Sequence, residues 1–354
     1  MKKTATVTWI TYENYGTCLQ AYALQHVLET LGYENVIVDD RRFIPQKGLK
    51  GHIGTFLSIL NGKKIPSRHT YFQSFKSHNM KIDDDWGTLS ELDNKYDIFL
   101  CGSDQIWSPN VRFNPFYYLS FTNKKKIAYA PSTGTGNLPQ EFKDRIKPFI
   151  ECFTKISVRE KSGALALSGF IDKPISVTLD PTLLLSAEEW MKVEITPKSQ
   201  DQYLLCYFLT PNQWYMDYVQ EYSRKTGIKI KIFFTNPLYK NYGDEQLIAG
   251  PGEFIGYIHN AYKVFTDSFH AAAFSIIYRK DFVAFKRFKD GAHLDQNARI
   301  ADLFAELGLE SHFVGDCDLK EMDNMPLLNY EAIFEKIENL KTDSINYLKS
   351  ALSM

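Results

Sequence analysis

The stretch TATVTWITYENYGTCLQAYALQHVLETLGYENVIVDD, residues 4–40, decides the fold. Its first residues, TATVTWI, are β-branched and aromatic types that favour a strand. TYENYG then interrupts the run with turn formers. Through TCLQAYALQHVLETLGY, the apolar residues Leu19, Tyr22, Ala23, Val27, Leu28 and Leu31 recur at helical spacing, and Gly32 is placed to end the helix. NVIVDD returns as an apolar strand. Strand, loop, helix and strand in that order open a parallel α/β sheet.

The same grammar continues along the chain. YDIFLCGSDQIW runs a strand into a Gly-Ser-Asp turn, KKIAYAPSTG is a strand and loop, and ISVRE is a short strand ending at Arg159 before the helical KSGALALSG. ISVTLDPTLLL is a further strand and turn. A second series starts near residue 200 with QYLLCYFL and ends with KVFTDS, the helix FHAAAFSIIYR and the strand DFVAFKR. The expected fold class is therefore α/β: two Rossmann-like domains with parallel sheets and a ligand cleft between them. Their expected extents are 1–185 and 186–330, with the linker between Asp180 and Lys198. The tail, 331–354, reads as an amphipathic helix that can cross back to the first domain.

Composition bounds the function. The chain has 354 residues, 44% of them hydrophobic, which suits two packed cores and excludes a disordered chain. A net charge of -1 gives no bulk attraction for a polyanion, so no nucleic-acid partner is expected and any anion site is local. Five scattered cysteines without a CxxC suggest reduced thiols in a cytoplasmic protein, with no metal site. The N-terminus reads as a first strand rather than a signal peptide, and no apolar run is long enough to span a bilayer.

One segment departs from this balance. Residues 41–82 carry nine Lys or Arg and no Asp or Glu, with aromatics interleaved. It reads either as an exposed, solvated insertion or as a flap that meets an anionic surface, such as a diphosphate or the inner membrane face.

Ligands of open α/β sheets sit beyond the carboxyl ends of the strands. The polar residues expected there are Glu13, Asn14, Tyr15 and Gly16 after the first strand, and Ser103, Asp104 and Gln105 after YDIFLC. Arg159 follows ISV; Asp267, Ser268 and His270 follow KVF. Ser268 or Asp267 can cap the helix that starts there, leaving N–H groups for an anion. Alternatively Ser268 merely caps, His270 merely packs, Arg159 is a surface ion-pair residue and Asn297–Arg299 decorates a helix surface. Tyr15, Trp107 and Tyr129 are either platforms that stack on a ligand or plain core. The common nucleotide, metalloprotease and serine-hydrolase motifs do not occur.

Taken in order, TWITYENYGTCLQAYALQHVLETLGY, YDIFLCGSDQIWSPN, KKIAYAPSTG, ISVREKSG, VTLDPTLLL, VFTDSFHAAAFSIIYRKDFVAF and NARIADLFAELGL resemble the bacterial polysaccharide pyruvyl transferase family. The resemblance runs from about residue 5 to about residue 310 and implies a GT-B-like fold. It also implies transfer of pyruvyl from phosphoenolpyruvate, a co-substrate rather than a cofactor, to a saccharide acceptor. The product would be a cyclic ketal, often across O4 and O6 of a hexose on a surface-polysaccharide precursor, possible carriers including undecaprenyl diphosphate.

By motif, Arg159 and His270 match the family's donor-binding residues. The family's arginine two places before that histidine is Ser268 here, so either Lys286, Arg287 or Arg299 supplies the missing charge or the donor takes a different pose. His270, Asp104 and Glu13 are the candidate acids and bases, since a histidine titrates near neutrality and carboxylates can accept a hydroxyl proton. Asn14, Tyr15, Gly16, Ser103 and Gln105 are the acceptor-side expectations. A sugar-nucleotide glycosyltransferase and a non-catalytic carbohydrate- or anion-binding relative are the rival readings.

Overall fold

A computed structural model describes residues 2–43, 67–198, 201–288, 296–315, 322 and 325–353. Two all-parallel sheets form the frame. The first holds β1 (Lys3–Val7), β2 (Glu34–Val38), β3 (Ile82–Asp83), β4 (Ile98–Cys101), β5 (Lys125–Ala128), β6 (Lys155–Val158) and β7 (Ile175–Val177). Their spatial order is β3-β2-β1-β4-β5-β6-β7. The second holds β8 (Tyr203–Tyr207), β9 (Lys229–Phe233), β10 (Glu245–Leu247), β11 (Lys263–Thr266), β12 (Asp281–Phe285) and β13 (Phe313–Val314), ordered β10-β9-β8-β11-β12-β13.

Both orders reverse direction beside their first strand, between β1 and β4 and between β8 and β11. Each reversal opens a crevice at the carboxyl ends of the strands. The chain passes from one sheet to the other between Val177 and Tyr203. β3, β10 and β13 are two or three residues long, too short to show a period of two in sequence.

The domains share one apolar core. Tyr15, at the start of helix Tyr15–Thr30, stacks on Phe254 at 4.5 Å and on Phe72 at 5.3 Å, and meets Tyr207 and Phe233 of the second domain. Its hydroxyl donates to the Ala249 carbonyl at 3.1 Å. Burial pushes the phenol up to about 12, so it remains a neutral donor. Tyr15 therefore belongs to the interdomain core and not to an acceptor surface.

Trp107 and Tyr129 are also core, since both are buried and donate to the carbonyls of Tyr117 and Leu179. Helix Tyr330–Ser353 lies against the first sheet: the Tyr347 hydroxyl donates to Ala128 O, Lys125 Nζ to Leu352 O, and Leu179 N to Ser344 Oγ.

The basic segment is corrected in its described part. Residues Arg68–Asn79 form a helix capped by Ser67, which puts Phe72 and Phe75 into the core. Lys76 is buried and donates to Ile10 O, while Lys81 pairs with Glu29 at 2.6 Å. This part is a packed crossover helix, not a solvated insertion or flap. The rest of that reading falls on residues 44–66, outside the described residues. Among the described residues no helix is long and apolar enough to cross a membrane.

Candidate active site

The ends of β4, β6, β7, β11 and β12 and the helices that carry Gly16, His270 and Arg299 build the site. Arg159 follows β6 directly, and its side chain is 2% exposed. Nη1 donates to Asp180 Oδ2 at 2.7 Å and Nε to Glu160 Oε1 at 3.2 Å, while the guanidinium lies 4.3 Å from the Phe269 ring. Nη2 is buried with no hydrogen-bond partner. Burial would lower the pKa of Arg159, but Glu160, Asp180 and Asp104 outweigh it and the net direction is upward. Two carboxylates hold the guanidinium, and one nitrogen is left without a partner.

Asp180 comes just after β7, and its side chain is fully buried. Oδ1 accepts from Thr182 N and Thr182 Oγ1, which fixes the carboxylate. Oδ2 faces Arg159 and lies 3.5 Å from His270 Nε2. That His270 contact is ionic in range but no hydrogen bond, and Nε2 is otherwise unpartnered. Burial works to raise the Asp180 pKa. His270 and Arg159, helped by Thr182, overcome it and hold the carboxyl far below the usual carboxylate range.

His270 enters from the second domain, on the first turn of helix Phe269–Ile277. Its ring rests on the Cα of Gly16, where an added Cβ would lie 1.9 Å from Nδ1. Gly16 is thus the residue that makes room for the imidazole. Ser268 stands at the N-cap but makes no side-chain cap bond, and Asp267 does not cap either. Asp267 accepts from Leu209 N at 2.6 Å and Thr210 N at 2.9 Å, tying β11 to the end of β8. Burial pushes its pKa up, against Arg287 and those two amides.

Arg287 and Arg299 complete the cationic group. Arg287 Nε donates to Thr210 Oγ1 at 2.8 Å and stands 3.8 Å from Asp267. Asn297 Oδ1 accepts from Arg287 N, so the end of β12 is stapled to the start of helix Ala298–Leu307. That helix delivers Arg299, which is 7% exposed with Nε buried and unpartnered. Burial, then the charges of Arg159 and Arg287, push Arg299 down to about 9; Glu160 and Asp104 oppose this without cancelling it. Arg299 is no surface residue of a helix, and its positive charge is the least compensated of the three.

Asp104 lies at the switch point of the first sheet. Gly102 makes the turn possible with φ +120, since a Cβ there would meet Tyr129 O at 2.0 Å. Asp104 is buried; Oδ2 accepts from Thr17 Oγ1 and Oδ1 from Gln105 N. Its charge acts on both Arg159 and Arg299.

Other expected residues fall elsewhere. The Glu13 carboxylate pairs with the exposed His69. Asn14 caps helix Tyr15–Thr30 through Thr17 N. Ser103 is fully buried: its amide donates to Gln20 Oε1, and its hydroxyl donates to Ala130 O and lies 3.4 Å from Asp180 Oδ2, so its donors are taken up within the protein. Gln105 Nε2 reaches Gln296 Oε1 of the second domain at 3.2 Å.

Asp180 and Glu160 were missed as site residues. Asp180 sits in VTLDPTLLL just as the other site residues sit after their strands, so its place at a strand end was the available signal. Among the described residues no group of three or more His, Cys, Asp or Glu gathers as metal ligands.

The arrangement offers N–H donors at Arg159 Nη2 and Arg299 Nε beside an imidazole, within reach of two domains' strand ends. Buried donors without partners carry a desolvation cost that a bound anion removes.

Comparisons with known proteins agree with the fold. The Methanocaldococcus jannaschii UDP-GlcNAc 2-epimerase, solved with UDP-GlcNAc and UDP, is 13% identical. It aligns over 97% of this chain and 100% of its own, with TM-score 0.52. S. aureus MnaA, solved with UDP, is 12% identical over 100% of this chain and 97% of its own, with TM-score 0.55. At such identity these show the GT-B-like pair of Rossmann domains and nothing of substrate. Among curated proteins none matches the chain in sequence. The family model described as polysaccharide pyruvyl transferase matches residues 14–287, which span Gly16, Asp104, Arg159, Asp180, His270 and Arg287, so the chain belongs to the polysaccharide pyruvyl transferase family.

Proposed function

We propose that the protein transfers the pyruvyl group of phosphoenolpyruvate to a saccharide, bridging two hydroxyls of one hexose, the 4,6 pair, as a cyclic ketal. The observation that carries this is the cationic group of buried Arg159 and Arg299 with half-buried Arg287 beside them, and the unpartnered nitrogens at Arg159 Nη2, Arg299 Nε and His270 Nε2. A small ligand with a carboxylate and a phosphate supplies the hydrogen-bond acceptors that these nitrogens lack.

Arg299 and Arg287 then take the phosphate, and Arg159 Nη2 takes the carboxylate. His270 delivers a proton to the methylene carbon, which leaves the central carbon electrophilic. A sugar hydroxyl forms a C–O bond there and gives its proton to Asp104. Phosphate departs with the electron pair of its C–O bond, and the second hydroxyl closes the ring by forming the other C–O bond and returning its proton to the imidazole of His270, which gave one up in the first step. Glu13, paired with His69, stands at the rim and is not needed as the base. Donor anions draw on these arginines in place of the family arginine that Ser268 replaces.

The acceptor is proposed to be a lipid-diphosphate-linked saccharide at the cytoplasmic membrane face, met from the first domain. A nucleotide-sugar donor is disfavoured by Asp267, whose carboxylate occupies the Leu209 and Thr210 amides at the second switch point. A sugar diphosphate would need such amides free.

The test is a screen of saccharide acceptors with phosphoenolpyruvate, read by mass for the added pyruvyl group. Arg299→Ala should raise the KM for phosphoenolpyruvate about 100-fold, the scale of one or two charge-assisted hydrogen bonds. His270→Ala should lower kcat about 100-fold or more. Normal turnover in both folded variants would sink the assignment.

A further inference from the structure

Helix Lys161–Ser168 follows Arg159 and Glu160 directly, and its own N-cap residue, Glu160, makes no side-chain cap bond. The cap comes from the other domain. Asp302 Oδ2 accepts from Ser162 N at 2.8 Å and from Ser162 Oγ at 2.7 Å. A carboxylate on the first-turn amides of a helix satisfies otherwise orphaned donors and meets the positive end of the helix dipole.

Asp302 lies three residues after Arg299 on helix Ala298–Leu307, a spacing that places two side chains on one helix face. Lys161 Nζ also reaches Glu306 of that helix, and Gln105 reaches Gln296 just before it. Two short helices, one behind Arg159 and one carrying Arg299, are therefore joined end to side across the domain boundary.

We infer that Asp302 is a positioning residue that assembles the anion site. Its trans-cap holds the domains at the separation where Arg299 of one and Arg159 of the other address the same ligand. Like charges drive these two guanidiniums apart, as the lowered pKa of Arg299 reflects, and the capped helix end opposes that separation. Opening the cleft breaks the cap and divides the site. The exposed Lys161–Glu306 pair contributes little by comparison, because solvent screens it.

The inference rests on the anion-site reading above, so the experiment has two independent readouts. The first is binding of inorganic phosphate and of phosphoenolpyruvate by calorimetry. Asp302→Ala should weaken both about 10-fold or more, the scale of losing charge-assisted hydrogen bonds. Asp302→Asn, whose amide oxygen still accepts from Ser162, should recover most of the affinity, and Glu306→Gln should stay within about threefold of the parent.

The second readout is small-angle scattering without ligand, where Asp302→Ala should show a larger radius of gyration than the parent and Asp302→Asn should not. A folded Asp302→Ala with parental dimensions and parental phosphate affinity overturns the inference. A parent that binds neither anion removes the donor reading, and the scattering result then decides the latch alone.

Discussion

Replacing Gly16 by alanine separates the packing of the site from its chemistry. The new methyl carbon would lie 1.9 Å from His270 Nδ1, 2.2 Å from Cγ and 2.6 Å from Cε1. Ordinary contact needs about 3.5 Å, so the ring must withdraw by roughly 1.5 Å. It cannot do so freely, because Asp180 and the helix start at Phe269 stand around it. Overpacking of this kind costs about 1–3 kcal/mol, and the better helix propensity of alanine returns up to about 1 kcal/mol.

The expected net loss is therefore about 0–3 kcal/mol, with a displaced imidazole. A misplacement of that size in a proton donor lowers turnover about 100-fold. Denaturant unfolding of the parent, Gly16→Ala, His270→Ala and the double variant measures the coupling. Without the imidazole the added methyl meets no clash, so Gly16→Ala becomes neutral or stabilising, with a coupling of about 1–3 kcal/mol. Effects that add within about 0.5 kcal/mol would refute the claim that Gly16 exists to seat His270.

Other outcomes follow from the same contacts. Asp180→Asn leaves Arg159 and His270 without their shared buried anion and should cost about 3–5 kcal/mol in chemical unfolding. Because the folded pKa of Asp180 is depressed, its contribution is present above the unfolded value of about 4 and is lost as pH falls toward the folded one. Between about pH 5 and about pH 3 the parent melting temperature should thus fall more steeply than that of Asp180→Asn, and parallel slopes would contradict the pairing. Tyr15→Ala should cost about 3–5 kcal/mol by emptying the aromatic interface, and a loss below about 1 kcal/mol would place Tyr15 at a surface after all.

The parallel α/β class and the succession of strands and helices were legible because their signals are local, whereas the strand order in each sheet rests on pairings between distant segments. Strand TATVTWI and helix TCLQAYALQHVLETLGY each declare themselves by period, and β4, β5, β6, β8, β11 and β12 lie where apolar runs meet polar turns. The positions of Arg159 and His270 followed from the rule that ligands sit beyond strand ends, whereas Arg287 and Arg299 were named only through the family resemblance. The rule places a residue along the chain but does not aim its side chain. Tyr15 and Ser103 occupy such ends and turn inward, one to Phe254 and one to Ala130. Glu13 occupies one and turns to His69. Arg68–Asn79 was misread because a run free of acids resembles a solvated tract, while Phe72 and Phe75 bury one face and Lys76 finds a buried carbonyl.

By itself the amino-acid order determined two parallel α/β domains and a cleft rich in arginine. Hydrophobic period and turn chemistry act over a few residues and need no knowledge of what lies across the fold. Tertiary structure decided which charges meet. Asp180 reaches Arg159 and His270, Gly16 receives the imidazole, and Asp302 caps a helix of the other domain. Those partners are separated by 21 to 254 positions, and a Coulomb or hydrogen-bond interaction depends on distance in space, which chain order does not encode.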